Sequence, residues 1–173
     1  MHQDIPVWID GSLQPMDKLA VHQRGLKHPA VSVFVVAAGD LLIQRRALGK
    51  YHTPGLWANT CCTHPLWGET PLACAERRLA EELGLTGLPL QHRGVVEYRA
   101  TVGNGMIEHE VVDLFLATCD RRPTPTANPD EVMELRWIAP AALRADIARQ
   151  PGAFTPWLRV YLAEHADLVL AGL

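Results

Sequence analysis

Residues 63–85 read THPLWGETPLACAERRLAEELGL, and from Thr70 onward this stretch is a helix with both of its ends written into it. Thr70 stands where an N-cap is needed. Pro71 has the fixed backbone angle and missing N–H that suit a first helical position, and Gly84 is the stop. Winding the segment at about 100° per residue puts Leu72, Ala75, Leu79 and Leu83 in one narrow stripe, which makes that side the core face. Arg78 and Glu82 fall on one flank of the stripe, close enough to edge a buried site, whereas Arg77 and Glu81 lie on the far side. By themselves these four charges read as two i,i+4 ion pairs on a solvated face.

The residues just before the helix, NTCCTHPLWGE (59–69), place two of the four cysteines side by side, Cys61 and Cys62, two positions ahead of His64. Structural zinc asks for Cys-x2-Cys, and neighbouring side chains rarely point the same way, so this is not a zinc knuckle. Further out, IPVWID reads as a strand, GSLQPM as a turn, and the next segment leads to Lys18 and His22. AVSVFVVAAGDLLIQRRA reads as a hairpin around Gly39-Asp40, followed by a loop from Gly49 to about Gly68. Strands are expected at 93–99, 107–117 and 134–138, then helices over PAALRADIAR and PWLRVYLAEHADLVLA. RRPTPTANPD is a loop rather than a linker, because too little chain follows it for a second core.

A chain of 173 residues that is 48% hydrophobic and 20% charged suits one globular domain. A net charge of −3 argues against a nucleic-acid partner. No apolar run reaches the length of a membrane span, and MHQDIPVWID lacks the basic and apolar regions of a leader, so no membrane partner and a cytoplasmic location are expected. Four scattered cysteines fit a reducing compartment. The cations are skewed: thirteen are arginine and three are lysine, Lys18, Lys27 and Lys50.

The helix and its preceding loop resemble the Nudix box, G-x5-E-x7-R-E-U-x-E-E-x-G-U with U aliphatic, matching at Glu69, Arg77, Leu79, Glu81, Glu82, Gly84 and Leu85. Thr63 stands in place of the first glycine and Arg78 in place of the glutamate after the arginine. The second change removes an anionic ligand and adds a phosphate-binding fork. RRALGKYHTPGLWANTCCTHP, EYRATVGNGMIEHEV, NPDEVMELRWI and FTPW are each similar to segments of the type 1 isopentenyl diphosphate isomerases, Nudix-fold enzymes that shift a double bond. The resemblance runs from about Lys18 to Trp157 and implies an α/β Nudix fold, a mixed sheet between helices in a single domain over residues 1–173.

Several roles follow from the resemblance. His22, His28, His64, Glu108 and Glu110 are implied as ligands of one divalent metal. Three imidazoles and two carboxylates leave one place in an octahedron, which suits manganese, magnesium or zinc. His22 and His28 are six positions apart, one fewer than in the best-known bacterial members. Glu108 and Glu110 share a strand face, as Cys62 and His64 do by the same spacing, although Glu-x-Glu is also common as plain solvation.

Cys62 and Glu110 are implied as proton donor and acceptor on either side of a tertiary carbocation, with Tyr98 aiding proton delivery and Trp157 offering its π face or, alternatively, serving as ordinary core. Lys18, Arg46, Lys50 and Arg78 are implied to grip the diphosphate, with Glu82 and the backbone carbonyl of Cys62 holding a magnesium ion that bridges to it. Cys61 is expected to be a small buried filler. His2, His52, His92, His109 and His165 receive no role. Two other functions remain open: a Nudix pyrophosphohydrolase and a non-catalytic module that binds metal and phosphate. The sequence leaves the oligomeric state undecided.

Overall fold

The computed structural model describes residues 4–170. Its centre is strand β3 (Lys27–Ala37), KHPAVSVFVVA, which is buried on both faces. Side chains alternate across a strand, so Val31, Val33 and Val35 point to one side while Ala30, Phe34 and Val36 point to the other. Among the described residues, seven strands form one mixed sheet, with the order β5 (Trp57–Ala58), β4 (Asp40–Arg46), β3, β8 (Met106–Cys119), β7 (Leu90–Gly103). β6 (Cys61–Thr63) pairs with β3 and β9 (Val132–Ile138) with β4. β3 and β8 are parallel, and the other pairings are antiparallel.

Helix α2 (Pro71–Leu83) covers the face of Val31, Val33 and Val35, burying Cys74, Ala75, Leu79 and Leu83. Leu79 and Leu83 are at most 1% exposed, a burial worth roughly 1.5–3 kcal/mol each. Thr70 caps the helix by accepting from Ala73 N at 3.3 Å, and Gly84 ends it at φ 63°, as their residue types require. Leu72 departs from the expected stripe. It lies in the first turn, ahead of the stretch that packs on the sheet, and is 44% exposed.

The opposite face is covered by α3 (Pro140–Arg149), α4 (Pro156–Glu164) and α5 (Ala166–Val169), through Leu143, Trp157, Leu158, Tyr161, Leu162 and Val169. The sheet is therefore held between helices, as expected. The C-terminal pattern does not form one helix, because His165, at φ −132°, breaks it between α4 and α5. Two turns also shift. GSLQPM is not a turn, since Asp10 and Gly11, both at positive φ, close a two-residue hairpin between β1 (Asp4–Ile9) and β2 (Ser12–Asp17). In the β3–β4 hairpin the turn is Ala38-Gly39, both at positive φ, and Asp40 already pairs with Ala37.

Candidate active site

Helix α1 (Lys18–Arg24) starts at Asp17, whose carboxylate accepts from Ala20 N at 3.0 Å, and ends at Gly25 in the left-handed conformation. A Cβ on Gly25 would meet the Ile107 side chain at 3.2 Å, so the turn back into β3 lies tightly on β8. This compact helix and turn absorb the short spacing and bring the His22 and His28 rings to 4.8 Å. His64, just past β6, stands 5.0 Å from each. Parallel pairing sets His28 opposite Glu110, and Glu108 follows on the same face of β8.

The backbone fixes the tautomers. His22 Nδ1 and His28 Nδ1 each lie 2.7 Å from a carbonyl, of Lys18 and Leu26 respectively. A carbonyl only accepts, so each Nδ1 carries the proton and each Nε2 presents a lone pair. His28 Nε2 has no hydrogen-bond partner and faces Glu110 Oε1 at 3.5 Å. Two acceptors at that distance need a cation between them. Burial, then the neighbouring His28, pushes His22 down to about 4, and burial holds His64 well below the usual imidazole range, so both rings are neutral as ligation requires. The donor atoms of His22, His28, His64 and Glu110 all lie within 4.8 Å of one another, and those of His22, His52 and Glu108 form a second such group. These residues fit a divalent metal.

Tyr98 Oη stands 2.8 Å from Glu108 Oε2 and 2.6 Å from Glu110 Oε2. A hydroxyl has one proton to give, so the second contact requires a proton from a carboxyl group. Burial and the adjacent Glu110 raise the proton affinity of Glu108 well above the carboxylate range. Burial acts the same way on Glu110, but the contact of His64 Nε2 with its Oε1 at 2.9 Å favours the ionised form and the carboxyl lies below the usual range. Tyr98 Oη thus has one donor proton to offer to this pair of carboxylates.

Cys62 is positioned from behind. Thr60 Oγ1 accepts from Val35 N and donates to Leu42 O, and Asn59 Nδ2 donates to Val33 O and Cys61 O, so polar side chains pin the segment entering β6. Ser32, opposite Cys62 in the β3–β6 pairing, donates to its Sγ at 3.2 Å and also lies 3.0 Å from Tyr161 Oη. Burial, then the Glu110 and Glu108 charges, pushes the Cys62 thiol well above its usual range, so it is a neutral S–H. Cys61 is fully buried in the α2-side core, as a filler would be. The buried Trp157 donates to Asn59 Oδ1 at 3.1 Å, while the Arg46 guanidinium sits 5.3 Å from its ring centre.

The cations gather at the mouth. Lys18, Lys50 and Arg78 line an outer basin of about 330 Å3 with Tyr51, Thr63 and Glu131. Beneath it a slot of about 20 Å3 reaches Cys62, His64, Glu108, Arg46 and Trp157. Burial, followed by the Lys50, Arg78 and Arg46 charges, drags Lys18 down to about 8. Cations crowded until one is ready to give up its proton make an anion site. Glu82, 4% exposed, accepts from Arg78 at 2.6 Å and from Gln44 at 2.9 Å, so it stands behind Arg78 and is not itself part of the basin wall.

Sequence reasoning missed several neighbours of this site. Glu131 pairs with Lys50 and, at 3.3 Å, with Arg78, so it screens the anchor. Ser32 and Tyr161 flank Cys62, and His52 stands against Glu108 at 3.4 Å. Only the position of Glu131 inside NPDEVMELRWI and of His52 inside RRALGKYHTPGLWANTCCTHP hinted at either. His92 pairs with Asp113 and His109 with Glu97 across β7 and β8, and neither histidine belongs to the metal-ligand group. His2 lies outside the described residues.

A family model described as the NUDIX domain matches residues 26–158. An isopentenyl-diphosphate Delta-isomerase from Dinoroseobacter shibae is 61% identical over 95% of this chain and 94% of its own length. One from Cereibacter sphaeroides is 55% identical over 100% of this chain and 98% of its own. Among solved structures, DR0079 from Deinococcus radiodurans superposes with a TM-score of 0.68 at 19% identity, covering 85% of this chain and 90% of that one. A MutT NUDIX hydrolase from Burkholderia pseudomallei gives 0.63 at 24%, covering 80% and 98%. At those identities the two structures speak for the fold alone.

Proposed function

This chain belongs to the NUDIX family and, within it, to the isopentenyl-diphosphate Delta-isomerases, and from that premise we propose that residues 1–173 act as one domain interconverting isopentenyl diphosphate and dimethylallyl diphosphate. The observation that carries the reading is a neutral Cys62 thiol that lines an inner slot with Glu108 and lies within the field of Glu110 behind it, an arrangement that hydrolysis of a phosphoanhydride has no use for. Moving the double bond needs one proton added to the terminal alkene carbon, giving a tertiary cation, and another removed from the carbon next to the diphosphate-bearing one. Cys62 and the Glu110–Tyr98 pair are the two proton-exchanging groups, and their donor and acceptor roles exchange in the reverse direction. The proton count balances over one cycle: one enters the hydrocarbon and one leaves.

Lys18, Arg46, Lys50 and Arg78 bind the diphosphate, with Lys50 and Arg78 turning from Glu131 to the substrate. Trp157 lines the slot and offers its π face to the cationic carbon. The slot holds about one water's volume, so the hydrocarbon enters as Tyr51 and its neighbours move aside. His22, His28, His64, Glu108 and Glu110 would hold one divalent ion, Mn2+, Zn2+ or Mg2+, and Glu82 with the Cys62 carbonyl would hold a Mg2+ shared with the diphosphate. Bound there, these ions supply positive charge that orients Glu110 and offsets the substrate's phosphates.

The competing hydrolase reading is favoured by the Nudix box and opposed by Arg78, which stands where the box has a glutamate. Offering the protein isopentenyl diphosphate and, separately, nucleoside diphosphate derivatives separates the two. Formation of the allylic isomer without phosphate release is expected. Release of phosphate or a nucleoside monophosphate with no isomer formed would overturn the proposal.

A further inference from the structure

His52 is the one member of the buried histidine cluster to which neither the ligand spacing nor the proton chemistry assigns a task. It lies on the loop between β4 and β5 and is 3% exposed, with its ring stacked on His22 at 5.5 Å. Its Nε2 stands 3.4 Å from Glu108 Oε1, and the donor atoms of His22, His52 and Glu108 lie within 4.8 Å of one another. Ligands held at about 2.1 Å from a cation lie about 3.0 Å apart when adjacent and about 4.2 Å apart when opposed. The 3.4 Å between His52 Nε2 and Glu108 Oε1 is near that of adjacent ligands, and the two donor groups, which meet at His22, would have to draw together for one ion to be shared by all six.

The two donor groups share His22, and together they contain all five expected ligands plus His52. Glu108 enters the cluster by way of His52 and not by way of His28 or His64. The support behind the ring is also that of a ligand. His52 Nδ1 lies 3.0 Å from Thr53 Oγ1, and the Arg46 guanidinium donates to the His52 carbonyl at 3.2 Å. Thr53 itself is held at φ 46°, a left-handed conformation that a β-branched residue rarely adopts. A hydroxyl that accepts from Nδ1–H leaves the Nε2 lone pair facing the cluster.

We propose that His52 is the sixth donor to the metal of this site, filling the place that three imidazoles and two carboxylates leave in an octahedron. The inference rests on the metal site described above and not on the isomerase chemistry. It has two consequences. With all six places taken by the chain, the ion carries no inner-sphere water and touches no substrate, so it serves to orient Glu108 and Glu110. Four imidazoles against two carboxylates also shift the preference away from magnesium toward ions that favour nitrogen.

The test uses the full chain stripped of metal and titrated with Mn2+, reading free Mn2+ by electron paramagnetic resonance and bound Mn2+ by water-proton relaxation. The native chain should bind one tight equivalent with no inner-sphere water. His52→Ala should bind at least about 10–100-fold more weakly and gain a water on the bound ion. His52→Gln, which can still donate to Glu108 but ligates poorly, should resemble His52→Ala. If the role is only to hydrogen-bond Glu108, Gln will restore native affinity, and the proposal falls. Native affinity and relaxation in His52→Ala would likewise overturn it, as would an inner-sphere water on the native ion. Failure of the native chain to take up Mn2+ at all would remove the five-ligand site along with it.

Discussion

At the scale of single residues, the site sets a neutral thiol and an ionised carboxylate to exchange protons with a hydrocarbon that offers no polar handle. Removing either should disable chemistry while keeping the fold, because Cys62→Ala and Glu110→Gln add no bulk at their positions and leave the strand pairings of β6 and β8 in place. Cys62→Ala and Glu110→Gln are each expected to lower turnover by at least about 10²–10⁴-fold, the range for a lost general acid or base, with unchanged circular dichroism. Near-normal turnover in either would remove that residue from the chemistry. Arg78→Glu, which restores the Nudix-box residue, should raise KM for isopentenyl diphosphate by about 10-fold or more through loss of a charge-assisted hydrogen bond and gain of repulsion. An unchanged KM would exclude Arg78 from the anchor.

Residues whose role the isomerase resemblance implied were legible in the sequence: Cys62, His64, Glu108 and Glu110 were named that way, and the fold sets His64 against Glu110 and lines one slot with Cys62, His64 and Glu108. His52, Glu131, Ser32 and Tyr161 were not. Each acts through a neighbour reached only by tertiary pairing, such as Ser32 with Cys62 across β3 and β6. A single sequence has no signal for such a contact.

At the scale of elements, helix α2 is tied to the loop before it by Arg77, whose Nε and Nη2 donate to the two carboxylate oxygens of Glu69 at 2.7 and 2.8 Å. The hydrogen bonds from Arg77 outweigh burial and hold Glu69 below its usual 4.5. The stabilisation it gives is therefore complete above about 4.5 and is lost as pH falls through the depressed folded value. Glu69→Gln should cost about 1 kcal/mol in urea unfolding at pH 7, and the cost should shrink toward zero in strong acid. A cost that is constant with pH would assign the effect to packing and not to this ion pair.

The same helix shows why element boundaries were partly readable. Thr70, Pro71 and Gly84 are local signals and marked the ends correctly, whereas the exposure of Leu72 depends on where the sheet ends beneath it. The turn at Ala38-Gly39 was misplaced by a residue because Ala38 adopts positive φ, a conformation its residue type does not advertise, whereas Asp10-Gly11 is a pair that favours such a hairpin and its signal was passed over for GSLQPM.

At the scale of the whole molecule, β3 is the member on which everything converges. It carries His28, pairs with the strand of Glu110 on one side and with that of Cys62 on the other, and is clamped by α2 and α4 on its two faces. A buried set of acceptors facing one another at its edge costs stability until a cation fills it. Stripping metal with a chelator should therefore lower Tm, and restoring Mn2+ at 100 times its Kd should return about 2.7 kcal/mol. Identical melting with and without metal would exclude the cluster as a metal site.

The most direct trial of the central claim is to incubate the pure protein with isopentenyl diphosphate and Mg2+ in deuterated water and examine the product by mass spectrometry. Dimethylallyl diphosphate carrying deuterium on carbon, together with label washed into the remaining substrate, is the expected result. Recovery of unlabelled isopentenyl diphosphate, or of its phosphate cleavage products, would contradict it.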